Sequence, residues 1–479
     1  STFTSFIQQD NPTIDALNAM HLDVSALGNH EFDQGRADVD DRVIPRADFP
    51  YLAANLYDRT TGTRAYAASW VTDVDGVSVG FIGAVTDQLS SLVSPAGISS
   101  LDVRPIAPEV NAVAEELSDG EPSNGEADVL VLLVHEGPAG PALADSTDDS
   151  VFGRLVAEVS PEVDAIFSGH THQAFAHLVP VAGAPGVLAR PVVQGASYGI
   201  DLSHVRLTVD RDSGDVVANA AEVVPLAAGG FTADPAVAQI VTDAVAAAAG
   251  PGSVSLGSIT ASLLRAKKVN GDEDRGGEST LGNLVADVQL AATQDLGTQI
   301  AFMNPGGLRT DLLFASSGPA DPDGNVTYRE AATVQPFANT LVATTLTGQQ
   351  VVDVLEEQWQ PAGASRPFLK LGVAGITYGY DPTAAAGSRI TQVMVGGTPL
   401  DLAGSYRVVA NSFLASGGDN FATLAQGANP ADTGRIDLQA FVDYMGANSP
   451  VSPDTAQRAV GVHLDAVPAD GYRAGDTVT

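Results

Sequence analysis

Three strand-like apolar runs, each ending in polar side chains, constrain the fold of this chain more than any other feature of its sequence. The first run, at residues 22–27, leads into the sequence GNHEFD, and the others, at residues 128–134 and 164–169, lead into His135 and His170. Short runs of this kind are typical of buried strands. Since rigid strand ends hold loop side chains in a cleft, these tips are the candidate functional positions.

The residues at these tips are rich in nitrogen and oxygen donors. Four of the eight histidines of the chain lie there, namely His30, His135, His170 and His172. A lone histidine at such a position is most often a satisfied surface or core group, but four imidazoles beside Asn29 predict a metal site. Imidazole and oxygen ligands suit zinc, iron, manganese or similar divalent ions. Thiolate ligands are excluded because the chain has no cysteine.

The motifs GNHEFD at residues 28–33 and GHTH at residues 169–172, together with His135, resemble those of the calcineurin-like metallophosphoesterases. Within that group the chain resembles the secreted bacterial 5'-nucleotidase family. The resemblance implies an α/β fold, with a two-metal site on a four-layer α/β sandwich, followed by a linker helix and a mixed α+β nucleotide-binding domain.

The same resemblance implies roles for the residues of these motifs. One divalent ion (zinc, manganese or similar) would be bound by Asn29, His135 and His170, and the second by His172. His30 and Asp33 would form a catalytic pair, in which His30 faces the phosphate or the leaving group and Asp33 orients the imidazole.

The sequence departs from the family pattern at its start. The family motifs Asp-x-His and Gly-Asp, the second of which supplies a metal-bridging aspartate, do not occur before Gly28. We interpret the chain as part of a longer protein. Its second metal site lacks most of its ligands on this interpretation.

Four motifs in the second half of the chain each have a structural and a functional interpretation. They lie at residues 275–283, 304–309, 335–339 and 408–421. Taken alone they are glycine-rich turns, a helix start and two phenylalanines, which are usually core residues. An arginine fork fits phosphate oxygens, and aromatic rings beside glycine turns can stack on a base.

In this order the four motifs resemble the C-terminal domain of the 5'-nucleotidases. The resemblance implies that the phosphate and nearby groups are held by Arg275, Asn304 and Arg309. It implies that Phe337 and Phe413 clamp the base and that Asp419 accepts hydrogen bonds from the ribose hydroxyls. The active site would then lie between the two domains.

The length of 479 residues predicts two or three domains. The glycine-rich run at residues 227–230 is the best boundary signal, and an alanine-rich helix from Asp234-Pro235 to Ala249, closed by residues 250–252, follows it. We predict a metallophosphoesterase domain at residues 1–228 and a linker helix at residues 229–252. A C-terminal substrate domain at residues 253–450 and a tail at residues 451–479 follow.

The charge of the chain argues against nucleic acid as a binding partner. Its net charge is −35, with only three lysines, so it offers no basic stripe for docking on a nucleic acid. No apolar run approaches the roughly 18 residues of a membrane span. The family resemblance implies an extracellular, cell-surface or periplasmic location, with any surface anchor outside these residues.

We therefore predict metal-dependent hydrolysis of a nucleoside 5'-phosphate by a metal-activated water. The resemblance leaves two hydrolase alternatives open, a 2',3'-cyclic-nucleotide phosphodiesterase with 3'-nucleotidase activity and a UDP-sugar hydrolase. An alternative of another class is an inactive nucleoside-binding surface protein.

Overall fold

The computed structural model describes residues 2–462 except 94–96, 122, 124, 182–188, 227–229, 319–320, 363 and 365. The chain forms two compact units. One consists of Asp10–Ala244 and Ala362–Arg366, and the other of the residues up to Gln9, Val245–Pro361 and the described residues from Pro367 onward. Within the described residues, no helix combines the length and apolar character needed for a membrane span.

A six-stranded sheet organises the first unit. Its strand order is Ser69–Val74, Val77–Val85, Val129–His135, Val163–Ser168, Arg190–Gly195 and Ala174–Val179. The four inner strands are parallel, and the two outer strands are antiparallel to their neighbours. Because Val85 pairs with His135 and Val134 with Ser168, the carboxyl ends of the inner strands meet at one edge.

Burial on both faces explains why the inner strands are apolar throughout. On one face, side chains such as Leu132 pack with the helices Ile106–Glu116 and Val151–Glu158. Val85 belongs to a second core, which contains Leu27 and the other apolar residues of the GNHEFD region.

The other elements of the first unit are short apart from one hairpin. The paired strands are Ser25–Ala26 with Tyr51–Leu52, Leu56–Asp58 with Leu101–Val103, and Asp201–Val209 with Val216–Pro225. The helical segments are Asn11–Ala19, Asn29–Phe32, Arg36–Asp38, Val39–Val43, Ile44–Arg46, Leu89–Leu92 and Leu143–Ser146.

The second unit contains two larger sheets. The five-stranded sheet has the order Gly372–Ala374, Ile300–Met303, Ser405–Asn411, Thr340–Thr347 and Ala428–Ile436. The four-stranded sheet has the order Thr398–Pro399, Ile390–Val395, Ile376–Tyr380 and Ala459–Gly461, and Ser255–Ser258 pairs with Asn325–Thr327. The helical segments are Phe3–Phe6, Thr280–Ala292, Gln294–Leu296, Pro305–Gly307, Tyr328–Val334, Gly348–Glu356, Ser412–Ala415, Gly418–Asn420, Leu424–Gln426 and Asp437–Asn448.

Two local predictions need correction, and part of the predicted tail forms a strand. Only Ser25–Ala26 of the predicted strand at residues 22–27 is a strand, because Leu22 is exposed and precedes the pairing with Tyr51–Leu52. The alanine-rich helix continues beyond Ala249 and ends at Gly252, where the Ser253 hydroxyl donates to the Gly250 carbonyl. The tail is packed as far as Ala459–Gly461, which pairs with Ile376–Tyr380.

The predicted domain bounds stay predictions. The boundary signal at residues 227–229 and the tail at residues 463–479 lie outside the described residues. The division between the compact units falls between Ala244 and Val245, inside the helix Pro235–Gly252. The residues up to Gln9 belong to the second unit, where Phe3 is buried and contacts Tyr328 edge to face.

Candidate active site

The GNHEFD segment forms a tight turn whose conformation is fixed from within. The backbone N–H of Gly28 donates to the Glu31 carboxylate at 2.6 Å, and Phe32 anchors the turn in the core with no exposed surface. Burial raises the pKa of Glu31. A side chain at residue 28 would lie 2.8 Å from the ring of His135, so the close approach of this turn to that histidine requires glycine.

Asn29, His135 and His170 come together at the carboxyl edge of the sheet. The Asn29 Oδ1 and His135 Nε2 atoms lie 2.8 Å apart, and the rings of His135 and His170 have centroids 5.0 Å apart. Burial lowers the pKa of His135 to about 3, and the neighbouring His170 acts in the same direction. His135 is therefore neutral, which is the form of imidazole that binds metal ions.

The loop after His135 is held by a buried carboxylate. Glu136 accepts hydrogen bonds from the Thr86 hydroxyl at 2.7 Å and from the Gly137 N–H at 3.0 Å. Burial raises the pKa of Glu136 to about 7. These contacts fix the backbone that carries His135.

The GHTH turn presents its two histidines from an unusual backbone. His170 and His172 have φ angles of 69° and 60°, in the left-handed region that residues with a Cβ rarely adopt. The exposed ring of His172 lies 6.3 Å from the ring of Tyr198, in an edge-to-face arrangement.

His30 and Asp33 form the pair that the sequence predicts. His30 Nδ1 lies 3.1 Å and 3.0 Å from the two carboxylate oxygens of Asp33. The side chains are 45% and 32% exposed, so the pair is open to solvent. Because this contact is made through Nδ1, Nε2 is the ring atom that would face a reacting group.

The second unit brings several candidate substrate residues together. Asn304 Nδ2 donates to the Asp419 carboxylate at 2.7 Å, and Asn411 Nδ2 donates to Asn304 Oδ1 at 3.0 Å. A side chain at Gly306 would contact both Arg275 and Asp419. The glycine therefore leaves open the space between an arginine and a carboxylate.

Phe337 and Phe413 are only partly buried, unlike the neighbouring Phe421, which is fully buried in the core. The guanidinium of Arg309 lies 5.6 Å from the centre of the Phe337 ring. The ring of Phe413 packs so closely on Gly418 that a Cβ there would clash with it. Both aromatic rings thus stay outside the hydrophobic cores of the described residues.

The donor types at the sheet edge fit a divalent metal ion, because two imidazoles and an amide oxygen face one another. Among the residues that the structure describes, no group of three or more His, Asp or Glu side chains could hold a metal ion. The cluster at the sheet edge has two histidines, His135 and His170, and its third donor is an amide oxygen, that of Asn29.

Sequence reasoning missed two residues that contact the site. Gln194 lies under the GHTH turn, and its only signal was a polar residue in the apolar strand Arg190–Gly195. Asn411 was part of a noted motif, but its contact with Asn304 joins residues 107 positions apart and has no local signal.

Two family models match the chain. The calcineurin-like phosphoesterase model matches residues 8–174, and the model of the 5'-nucleotidase C-terminal domain matches residues 255–426. All of the candidate metal and catalytic residues fall in the first match, and all of the candidate substrate residues fall in the second. The family resemblance and the two-part α/β architecture are thereby confirmed.

Known relatives match nearly the whole chain. "Endonuclease YhcR" of Bacillus subtilis is 28% identical over 93% of this chain and 34% of its own length. "Cell wall protein Lmo0130" of Listeria monocytogenes is 28% identical over 93% of this chain and 58% of its own length. The chain thus spans only about a third of the length of the first protein and somewhat more than half of the length of the second.

A solved structure shares the fold. The crystal structure of a 5'-nucleotidase precursor from Thermus thermophilus is 26% identical, with a TM-score of 0.73. The match covers 95% of this chain and 87% of that one.

Proposed function

The chain belongs to the 5'-nucleotidase family, and from that premise we propose that it hydrolyses nucleoside 5'-phosphates to nucleoside and phosphate. The observation that carries the proposal is the meeting of Asn29, His135 and His170 at one sheet edge. The family implies divalent-metal chemistry. One ion (zinc, manganese or similar) would be held by these three residues, and a second by His172.

Metal ions would contribute one part of the chemistry. When bound, they make a hydroxide available at neutral pH and polarise the phosphoryl oxygens. Asn29 and His135 would be ready to bind an ion. Burial keeps His135 neutral, and the Asn29 oxygen faces the His135 ring.

His30 and Asp33 would assist the departure of the nucleoside. Asp33 accepts a hydrogen bond from His30 Nδ1 and so fixes the orientation of the ring. The protonated Nε2 would then donate to the oxygen that leaves phosphorus. Such positioned proton transfer typically contributes a factor of about 10²–10⁴ to the rate.

The second unit would bind the substrate. Arg275, Asn304 and Arg309 would hold the phosphate and nearby groups. Asp419, which accepts a hydrogen bond from Asn304, would accept hydrogen bonds from the ribose hydroxyls. The partly exposed rings of Phe337 and Phe413 would stack on the base, each face contributing about 1–3 kcal/mol.

A location outside the cytoplasm belongs to this proposal. Its support is the match to a relative named as a cell wall protein. Immunoblotting of the culture medium, the cell envelope and the cytosol of the source cells tests it, and a signal confined to the cytosol would contradict it.

The experiment that tests the proposed function measures nucleoside and phosphate release from AMP, ADP, UDP-glucose and 2',3'-cyclic AMP. Each reaction is run with EDTA and again after Mn²⁺ or Zn²⁺ is added back. We expect AMP to be hydrolysed only with metal present. Faster turnover of the cyclic nucleotide or of UDP-glucose would favour one of the other hydrolases, and nucleoside binding without any turnover would favour the inactive binding protein.

Two variants separate the role of His30 from that of a metal ligand. His30→Ala should lower kcat by about 10²–10⁴-fold with metal content unchanged. His204→Ala is the matched control, because His204 forms a similar exposed pair with Glu222 on the hairpin of the same unit, with Nδ1 2.9 Å from the carboxylate. Loss of metal in parallel with rate would make His30 a ligand instead.

A further inference from the structure

Gln194 is a buried amide in an otherwise apolar part of the sheet. It lies in the strand Arg190–Gly195, next to Val192 and Val193, and is 1% exposed. Burying an amide group costs free energy unless both its oxygen and its nitrogen form hydrogen bonds. The partners of Gln194 therefore indicate why a glutamine stands at this position.

Those partners belong mainly to the GHTH turn. With its amide oxygen directed at the turn, Gln194 accepts hydrogen bonds from the backbone N–H groups of His172 and Gln173, both at 2.9 Å. Its amide nitrogen then donates to the Ser168 hydroxyl at 3.2 Å. The Thr171 hydroxyl lies 3.3 Å from the same amide group.

The turn needs such support because its backbone is strained. His170 and His172 both have left-handed φ angles, which residues with a Cβ rarely adopt and which cost free energy. Tight packing adds a second constraint, since a side chain at Gly137 would overlap with Thr171, Gly169 and Gln194. The conformation persists because its surroundings determine it from several sides.

We propose that Gln194 is a positioning residue, which holds the turn at residues 169–173, with its left-handed His170 and His172, in the conformation that directs these two histidines toward the candidate metal site. The proposal depends on the proposed function in one respect, the binding of a metal ion by His170 and His172. The support of the turn by Gln194 does not depend on it. A residue that orients metal ligands from behind typically changes metal affinity by about 10–100-fold when replaced. Gln194 acts through the backbone of the turn and does not itself contact a reacting atom.

The test compares four variants of the whole chain. Gln194→Met keeps the volume and removes the acceptor, Gln194→Asn keeps the amide but shortens its reach, and Gln194→Glu keeps an acceptor at full reach. Gln358→Met is the matched control, because Gln358 is a fully buried glutamine in the second unit that accepts from Leu371 N–H and Tyr378 hydroxyl.

Two readouts are taken on each variant. Calorimetric titration of Zn²⁺ or Mn²⁺ into metal-free protein gives Kd, and amide hydrogen exchange gives the protection of the His172 and Gln173 N–H groups. We expect Gln194→Met and Gln194→Asn to raise Kd at least about 10-fold and to lose that protection. Gln194→Glu should stay within about threefold of the wild type, and Gln358→Met should keep both readouts, even if its thermal stability falls.

The outcomes separate this proposal from the proposed function. Wild-type Kd and wild-type exchange in both Gln194→Met and Gln194→Asn would overturn the positioning role. If the unaltered protein binds no metal, the proposed function fails, and the exchange rates of His172 and Gln173 alone then decide the role of Gln194. If Gln194→Met does not fold, the comparison of Gln194→Asn with Gln194→Glu decides it.

Discussion

Replacement of Lys370 by methionine should stabilise the second unit at neutral pH. The side chain is 3% exposed, and its ammonium has no hydrogen-bond partner among the described residues. It lies 3.8 Å from the centre of the Tyr380 ring, with the rings of Tyr378 and Phe368 at 5.1 Å and 5.7 Å. Within the described part of the chain, a cation is therefore buried against aromatic rings without a direct counter-ion.

The cost of this burial can be worked out from the pKa. Burial lowers the pKa of Lys370 from 10.5 to about 8, although Glu278 acts in the opposite direction. At about 1.4 kcal/mol per pH unit, the charged form costs about 3 kcal/mol in the folded state. This cost is a net value that already includes the opposing effect of Glu278. Methionine fills a similar volume and contacts aromatic rings favourably, so we expect a gain of about 1–3 kcal/mol.

The stability difference between the wild type and Lys370→Met should depend on pH. Below pH 8 the lysine is protonated in both the folded and the unfolded state, so the full cost is present. Between pH 8 and 10.5 the unfolded state binds more protons, and the stability of the wild-type protein therefore rises with pH. The advantage of Lys370→Met should shrink over the same interval.

Urea unfolding, followed by tryptophan fluorescence, measures this difference. Trp359 lies 5.7 Å from Tyr380 in the same aromatic group, and a Trp70→Phe background makes it the only tryptophan. Lys267→Met is the control, because that lysine is 45% exposed and its partner Asp311 keeps its hydrogen bonds from Arg265 when the lysine is replaced. An unchanged or lower midpoint for Lys370→Met at pH 7, with an unchanged m-value, would refute the reasoning.

Two further predictions concern the candidate site. Gly28→Ala should displace His135, because the added Cβ would lie 2.8 Å from the His135 ring. Calorimetric titration should then show Zn²⁺ binding weakened by at least about 10-fold. A Kd equal to that of the wild type would contradict the close approach. Phe413→Ala should raise KM for AMP about 5–150-fold with kcat little changed, because a stacked face contributes about 1–3 kcal/mol. Phe231→Ala is its control, since that ring is 65% exposed in the first unit, and an equal fall in kcat for Phe413→Ala would argue against a binding role.

The sequence predicts the inner sheet well because buried parallel strands leave little choice of residue. The runs at residues 128–134 and 164–169 form the neighbouring strands Val129–His135 and Val163–Ser168. The strand Ala174–Val179 escaped prediction, because it lies at the edge of the sheet and mixes exposed and buried side chains, including His177. Its pairing with Arg190–Gly195 gives the edge its register, which no local pattern records.

At the site, the sequence predicts which residue types gather but not how they are supported. The pairing of His30 with Asp33 joins residues three positions apart on a short helical turn, and the family resemblance implies it. The contact of Asn29 with His135 joins residues 106 positions apart and was inferred only from the strand-end pattern and the family resemblance. The support that Gln194 gives to the GHTH turn depends on two left-handed residues, and nothing in the sequence marks those backbone angles.

The central claim is that Asn29, His135 and His170 bind a divalent ion together. Anomalous diffraction from crystals grown with Zn²⁺ tests it most directly. We expect a zinc peak bonded to Asn29 Oδ1 and to one nitrogen each of His135 and His170, at about 2.0–2.2 Å. A zinc-free cluster in which Asn29 still contacts His135 directly, with any zinc bound elsewhere on the protein, would contradict the account.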